Sequence, residues 1–307
     1  MSEPADPELP RGIALAWGVA ANPQRGPKRE MSVERIVEAA VELADADGLA
    51  AVSMAAVAAR LGFTPMSLYR YVTAKDDLIL LMQEEATGLP PEAVREGDWR
   101  AQLTALYRAQ LDGYLRHPWV LDVPISGAPA TPNSAAWMDA GLRALAETPL
   151  SHSDRLAVML LVTGHARWAG MIVAGYARAQ AEGGLADAHI AAREDALYRL
   201  LITADAYPDL REAIDAGVFL DESDPFRFGL ERSLDGVAAY ISDVAGGVPS
   251  RREPWVEGED HALAGDKRLR EARKSVREAE KALRDARRAE RQALREARER
   301  AARHPSV

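Results

Sequence analysis

The chain has 307 residues, a net charge of −9 and no cysteine. That length allows two domains with a sizeable buried core. The missing thiols exclude a disulfide scaffold, thiolate metal sites and a cysteine nucleophile, and fit a reducing cytoplasm. Charge is unevenly spread: residues 1–265 hold 23 Lys+Arg against 39 Asp+Glu, and residues 266–307 hold 15 against 8. An acidic body argues against nonspecific wrapping of nucleic acid, but it leaves room for a small basic docking surface.

Residues 1–31 read as a flexible arm rich in Pro, Gly and charge, ending in a basic run with Arg25, Lys28 and Arg29. Residues 13–21 mimic the apolar core of an export signal. The leader before them carries Glu3, Asp6 and Glu8, the wrong sign for one. From Ser32, the residues Val33, Ile36, Val37, Ala40, Val41 and Ala44 follow helical spacing, with Ser32 as cap and Gly48 as stop. Ser53 caps a second helix reaching about residue 61, and Gly62-Phe63 makes the turn. Thr64 caps a third over 65–72, with Pro65 at its first position. Thr73 to Asp76 resembles a capping box for a fourth helix over 74–87.

Residues 88–97 break the pattern and mark a domain edge. Helices follow over 99–116, 134–147, 153–180, 188–205 and 226–245, with a loop at 122–134 and weaker signals at 208–216. Residues 156–177 approach membrane length, but His165 and Arg167 sit at their middle, so a helix buried in a soluble bundle is expected and no membrane partner. No run alternates as a strand does, so the fold is expected to be all-α. The expected division is an arm at 1–31, a unit at 32–90, a larger unit at 98–247, a polar linker at 248–265 and a charged helical tail at 266–303. The tail's heptad seam is thin. A solvated helix ranks first for it, a weak coil between subunits second and a cationic DNA contact third.

Two short helices about a glycine turn at 53–72 form a helix-turn-helix. On a helical wheel Leu68 and Val72 face the core with Val57 and Leu61, while Met66 and Arg70 stand opposite, flanked by Ser67, Tyr69 and Thr73. Such a face suits a major groove: Arg70 can bond a guanine edge or a phosphate, Ser67 base or backbone, and Pro65 or Met66 a thymine methyl. Tyr71 and Lys75 suit phosphates, and Arg25 and Lys28 a minor groove. A plain helical hairpin has the same shape. The clustering of basic groups on the arm and between Arg60 and Lys75 favours DNA.

These residues, Ile36-Val-Glu-Ala-Ala40, Leu61-Gly-Phe-Thr-Pro-Met-Ser-Leu-Tyr-Arg-Tyr-Val72 and Lys75-Asp-Asp-Leu78, resemble the tetracycline-repressor (TetR/AcrR) family of bacterial regulators. The resemblance covers about residues 30–90. It implies that Pro65, Met66, Ser67 and Tyr69 stand where such proteins meet DNA, with Tyr71 and Lys75 at phosphate-contacting positions; Ser53 and Thr64, the caps of the two helices, are further candidates for DNA contact. A looser resemblance to the C-terminal domain of that family rests on Trp99, His117-Pro-Trp119, Pro132-Asn133 and the run from Phe226 to Asp235. It implies a homodimer whose four-helix interface comes from residues 153–180 and 226–245. It also implies a palindromic operator and a small-molecule inducer bound inside each subunit.

For that inducer, Tyr107, Gln110, Trp137, Met138, His165, Trp168 and Met171 are candidate walls, large side chains with a few polar handles. Ordinary core packing competes at each of them. Arg167, within an apolar helix, needs a pocket anion, a carboxylate or a dimer mate. The six histidines form no ligand spacing, and Ser151-His-Ser-Asp154 reads as a helix cap rather than a triad. No metal, cofactor or catalytic residue is therefore expected. The alternative to a regulator is a helical ligand-binding or interaction module without operator binding.

Overall fold

A computed structural model of the chain describes residues 9–19, 31–125, 130–183, 187–221, 223–248 and 266–303. Among them the regular structure is helical throughout, with no strand. The chain divides into a unit of residues 1–248 and a second of residues 249–307.

The helices of the first unit are α1 (Arg11–Ala16), α2 (Val33–Asp47), α3 (Met54–Leu61), α4 (Pro65–Leu68), α5 (Lys75–Thr87), α6 (Trp99–Arg116), α7 (Pro132–Ala144), α8 (His152–Gly183), α9 (Asp187–Leu201), α10 (Pro208–Asp215) and α11 (Pro225–Ala245). The second unit contributes α12 (Lys267–Arg303).

The expected caps at Ser32 and Ser53 form: each hydroxyl accepts a backbone N–H three residues on, from Arg35 and Ala56. Gly62 turns the chain after α3 at φ +77°, a left-handed conformation a side chain would strain. Around this turn, Ile36, Ala40, Val57, Leu68, Val72, Leu78 and Met82 close a first core. A second core gathers Leu103, Leu106, Tyr107, Trp137, Leu145, Val162, Ala166 and Leu234 from α6, α7, α8 and α11.

Three expectations are corrected. Residues 11–16, read as part of a flexible arm, form α1. It lies on α5 because Gly12 has no side chain: a Cβ there would come within 2.7 Å of Asp77 Oδ1, and instead the Gly12 N–H donates to that oxygen at 3.0 Å. Trp17 then donates from Nε1 to the Ala130 carbonyl, 2.7 Å away. The capping box at Thr73 does not form, since Ala74 is the cap of α5 and the Thr73 hydroxyl donates to Asp77. The third helix, expected over 65–72, ends at Leu68. Beyond it the Tyr71 N–H bonds back only three residues, to the Leu68 carbonyl, tightening the turn.

On α8 the small residues Ala166, Gly170 and Ala174, four positions apart, are buried, and α6 comes close to them: a Cβ at Gly170 would lie 3.1 Å from Tyr114 Cβ. The Arg167 guanidinium donates to the carbonyls of Leu121 and Val123, at 2.9 and 3.1 Å. The partner its burial requires is therefore backbone rather than a ligand or carboxylate. Ser151 and Asp154 bond each other at the start of α8, as a cap does.

Candidate nucleic-acid interface and ligand cavity

The α3–α4 hairpin sorts its side chains as the wheel demands. Leu68 and Val72 are fully buried with Val57, while Met66 is 72% exposed beside exposed Thr64, Pro65, Tyr69, Arg70 and Lys75. Ser67 is half-buried and donates its hydroxyl to the Thr64 carbonyl at 2.5 Å. That bond does the holding expected of the Thr64 side chain, which makes no cap bond. Ser53 is occupied as the cap of α3, and Tyr71 packs its ring on the first core.

Electrostatics separate the basic groups. Arg60 is paired with Glu42 at 2.7 Å, whereas among the described residues no carboxylate is paired with Arg70 or Lys75. Arg70 can therefore present its fork of donors without first breaking an ion pair. Arg25 and Lys28 lie outside the described residues.

Beside the Trp17–Ala130 bond, further hydrogen bonds tie the head to the larger unit. Asp45 of α2 accepts from Trp119 Nε1 at 2.7 Å and hydrogen-bonds His117 Nδ1 at 2.8 Å, both on the segment after α6. Glu84 of α5 accepts the Asn133 backbone N–H at 2.6 Å in the first turn of α7. The Asn133 side-chain amide donates to the Glu84 carbonyl at 2.9 Å. Trp137 Nε1 donates to the Gly88 carbonyl at 2.9 Å.

A groove of about 660 Å³ opens between α6, α8 and α11. Tyr107, Phe226, Leu111 and Val173 give it apolar walls, and Thr104 and Asp224 polar ones. Behind it stands an aromatic cluster. The rings of Tyr107 and His165 stack at 5.5 Å, Trp168 meets Phe226 edge-on at 5.0 Å, and His165 Nε2 contacts the Phe226 carbonyl at 2.7 Å. Burial pushes the Tyr107 phenol up, and the Asp224 carboxylate adds to the rise, so the hydroxyl stays a donor at neutral pH. Four arginines line the groove. Arg100 and Arg232 share Asp235, Arg227 pairs with Glu231, and Arg108 has no paired carboxylate among the described residues.

Of the seven candidate ligand residues, Tyr107, His165 and Trp168 are thus brought together, and only Tyr107 lines the groove itself. Gln110 lies on α6 with its side-chain oxygen buried and unpartnered. Trp137 is in the second core, committed to Gly88, with half-buried Met138 beside it. Met171 points outward, 52% exposed. Phe226, Thr104, Arg108 and Asp224 were missed. Helical spacing marks which face of α6 is apolar, but not which residues of α11, over a hundred positions away, close against it.

The profile "Bacterial regulatory proteins, tetR family" matches residues 36–82, and "Tetracyclin repressor-like, C-terminal domain" matches residues 90–241. The HTH-type transcriptional repressor DrrR1 of Streptomyces coeruleorubidus is 32% identical over 241 residues, which cover 78% of this chain and 89% of that protein. The fold is similar to that of apo ActR from Streptomyces coelicolor, with a TM-score of 0.56 at 24% identity over 71% of this chain and 99% of that one. It is likewise similar to ActR in complex with actinorhodin, with a TM-score of 0.57 at 24% identity over 69% and 98%.

Proposed function

Because the chain belongs to the tetracycline-repressor family of bacterial regulatory proteins, we propose that it is a cytoplasmic, homodimeric repressor that holds a palindromic operator and releases it on binding a small molecule. The observation that carries this reading is the outward face of the α3–α4 hairpin. Met66, Tyr69 and Arg70 are exposed over a buried Leu68, and Arg70 has no competing carboxylate among the described residues. Two copies set one helical turn of DNA apart, about 34–36 Å, read successive major grooves.

Dimerisation is supported by the apolar face of α8, where Leu160, Leu161, Trp168, Met171 and Ile172 are exposed, with Phe228 exposed on α11. Single exposed apolar residues are ordinary, but a contiguous run on one long helix marks an interface. The ligand is an amphipathic molecule: an aromatic or aliphatic body against Tyr107, Phe226 and Leu111, and an acidic or hydroxyl group toward Arg108 and Thr104. The similar fold of ActR, seen with actinorhodin, supports a ligand site in this architecture.

Release needs a ligand that binds the DNA-incompetent arrangement more tightly than the competent one. The path lies on described bonds. The groove uses α6, α6 runs into His117 and Trp119, and these hold Asp45 of the head. A shift of α6 therefore pulls on α2 directly, while Glu84 and Gly88 anchor α5 to α7.

The test is a gel-shift titration of the full chain on the DNA upstream of its own coding region. Arg70→Ala with Tyr69→Ala, both exposed on the outward face, weakens binding at least roughly tenfold, since each lost base contact costs about 1–3 kcal/mol. Undiminished binding by that double variant overturns the head as the DNA reader. Absence of any shift with wild-type chain favours a module without operator binding.

A further inference from the structure

Operator recognition leaves α12 without a role; it is 37 residues long and, apart from half-buried Leu269, exposed along its described side chains. We propose that it is a second DNA-contacting surface, a cationic rail that binds the phosphate backbone of duplex DNA without regard to sequence. At about 100° per residue, the cations from Arg270 to Arg298 gather mainly in one arc of about 140°, while Leu269, Val276, Leu283 and the intervening alanines gather on the other side. Within the arc, Arg273, Arg277 and Lys281 follow one another at i, i+4, as do Arg284 and Arg288.

Opposite charges at i, i+4 stabilise a lone solvated helix, and like charges there weaken it. In α12 seven such steps join opposite signs and six join two cations, and residues 266–307 carry 15 cations against 8 acids, so the cationic arc keeps a net positive charge. The Lys274–Glu278 and Arg300–Glu296 pairs stand at 3.8 and 3.9 Å with their side chains more than half exposed. A coil between subunits finds too little to bury, because Glu290 follows Leu283 on the seam. An anionic bilayer surface wants a broad face of Trp, Phe or Leu, and α12 offers three leucines among alanines and no aromatic residue. Duplex DNA needs only the rail: one turn of helix spaces the cations by about 5.4 Å, and the duplex offers a charge every 1.7 Å or so along its axis. With residues 1–265 holding 23 Lys+Arg against 39 Asp+Glu, the tail is where the chain concentrates positive charge.

The inference goes beyond operator recognition and does not depend on it, because any duplex serves. Binding of the full chain to a fluorescent 30-base-pair duplex of random sequence is measured by anisotropy between about 50 and 200 mM salt. The combined variant Arg273→Gln, Arg277→Gln, Lys281→Gln, Arg284→Gln and Arg288→Gln (the Gln variant) lowers affinity at least roughly tenfold at the low-salt end. It also flattens the log–log salt dependence by about four, near 0.9 per lost phosphate contact. Lys at the four Arg positions keeps affinity and slope, and circular dichroism keeps its helical signal in both variants. An unchanged slope in the Gln variant, or an equal loss in the Lys variant, overturns the proposal. So does binding to phosphatidylserine vesicles without binding to the duplex. A chain that shows this slope yet ignores its operator refutes the operator reading alone.

Discussion

Met66 and Leu68 are two positions apart in a single turn of helix and face opposite environments, one 72% exposed and the other sealed in the first core. Leu68→Ala is expected to cost about 2–5 kcal/mol, because it leaves a cavity among Ile36, Val57 and Val72. Met66→Ala is expected to change stability by no more than about 0.5 kcal/mol while weakening operator binding. Paired thermal melts and gel shifts check the contrast. This division was legible in sequence because it follows from period alone. The Thr64–Ser67 exchange was not, since both residues can cap and only the backbone decides which oxygen is used. At the groove, Thr104→Trp fills space beside Tyr107, so ligand loses its power to release DNA while operator affinity stays. Equal loss of both would place the ligand elsewhere. Tyr114 supplies the pH test. Burial raises its phenol above the ordinary 10.0, against a smaller opposing pull from Arg167. The native state thus holds the proton more tightly than the unfolded chain, and the associated stability is present below pH 10 and declines as pH rises past it. Tyr114→Phe should lessen that alkaline decline in denaturant melts. An identical decline would mean that another group carries it.

At the scale of elements, most helices could be placed from spacing and caps, because Ser32, Ser53 and Asp98 each bond the backbone N–H three residues ahead. The failures share a physical origin. α1 was taken for arm because six residues are too few to be stable alone, and what stabilises them is Asp77, 65 positions away. Gly12→Val should push α1 off α5. Limited trypsin digestion should then cut faster at Arg11, and an unchanged rate would mean that α1 is not held by this close approach. α5 and α7 are joined by bonds that no sequence pattern announces. Glu84→Ala leaves the Asn133 N–H without its acceptor, which costs roughly 1–3 kcal/mol if the group stays buried. If α5 transmits release, the variant still binds operator but responds less to ligand. A full response would assign transmission to the Asp45–His117–Trp119 contact alone.

For the whole molecule, the account requires two heads held at a fixed spacing by pairing of the larger units. The apolar length of α8 raised a membrane reading in the sequence, and the structure resolves it into two faces. One carries Val162, Ala166 and Ala169 into the second core, and the other exposes Leu160, Trp168 and Met171. Leu160→Glu with Met171→Glu should shift sedimentation from dimer to monomer and weaken binding to the palindrome more than to a single half-site. A variant that remains dimeric would move the interface off α8. The most direct measurement uses the absence of cysteine in the chain. Ala59→Cys, exposed on α3 outside the face given to DNA, carries one nitroxide per subunit, and pulsed dipolar spectroscopy reads the distance between them on operator DNA. A narrow distribution centred near 35 Å, the spacing of successive major grooves, is the predicted result. No dipolar coupling between subunits, or a separation that two adjacent grooves cannot accommodate, would contradict it.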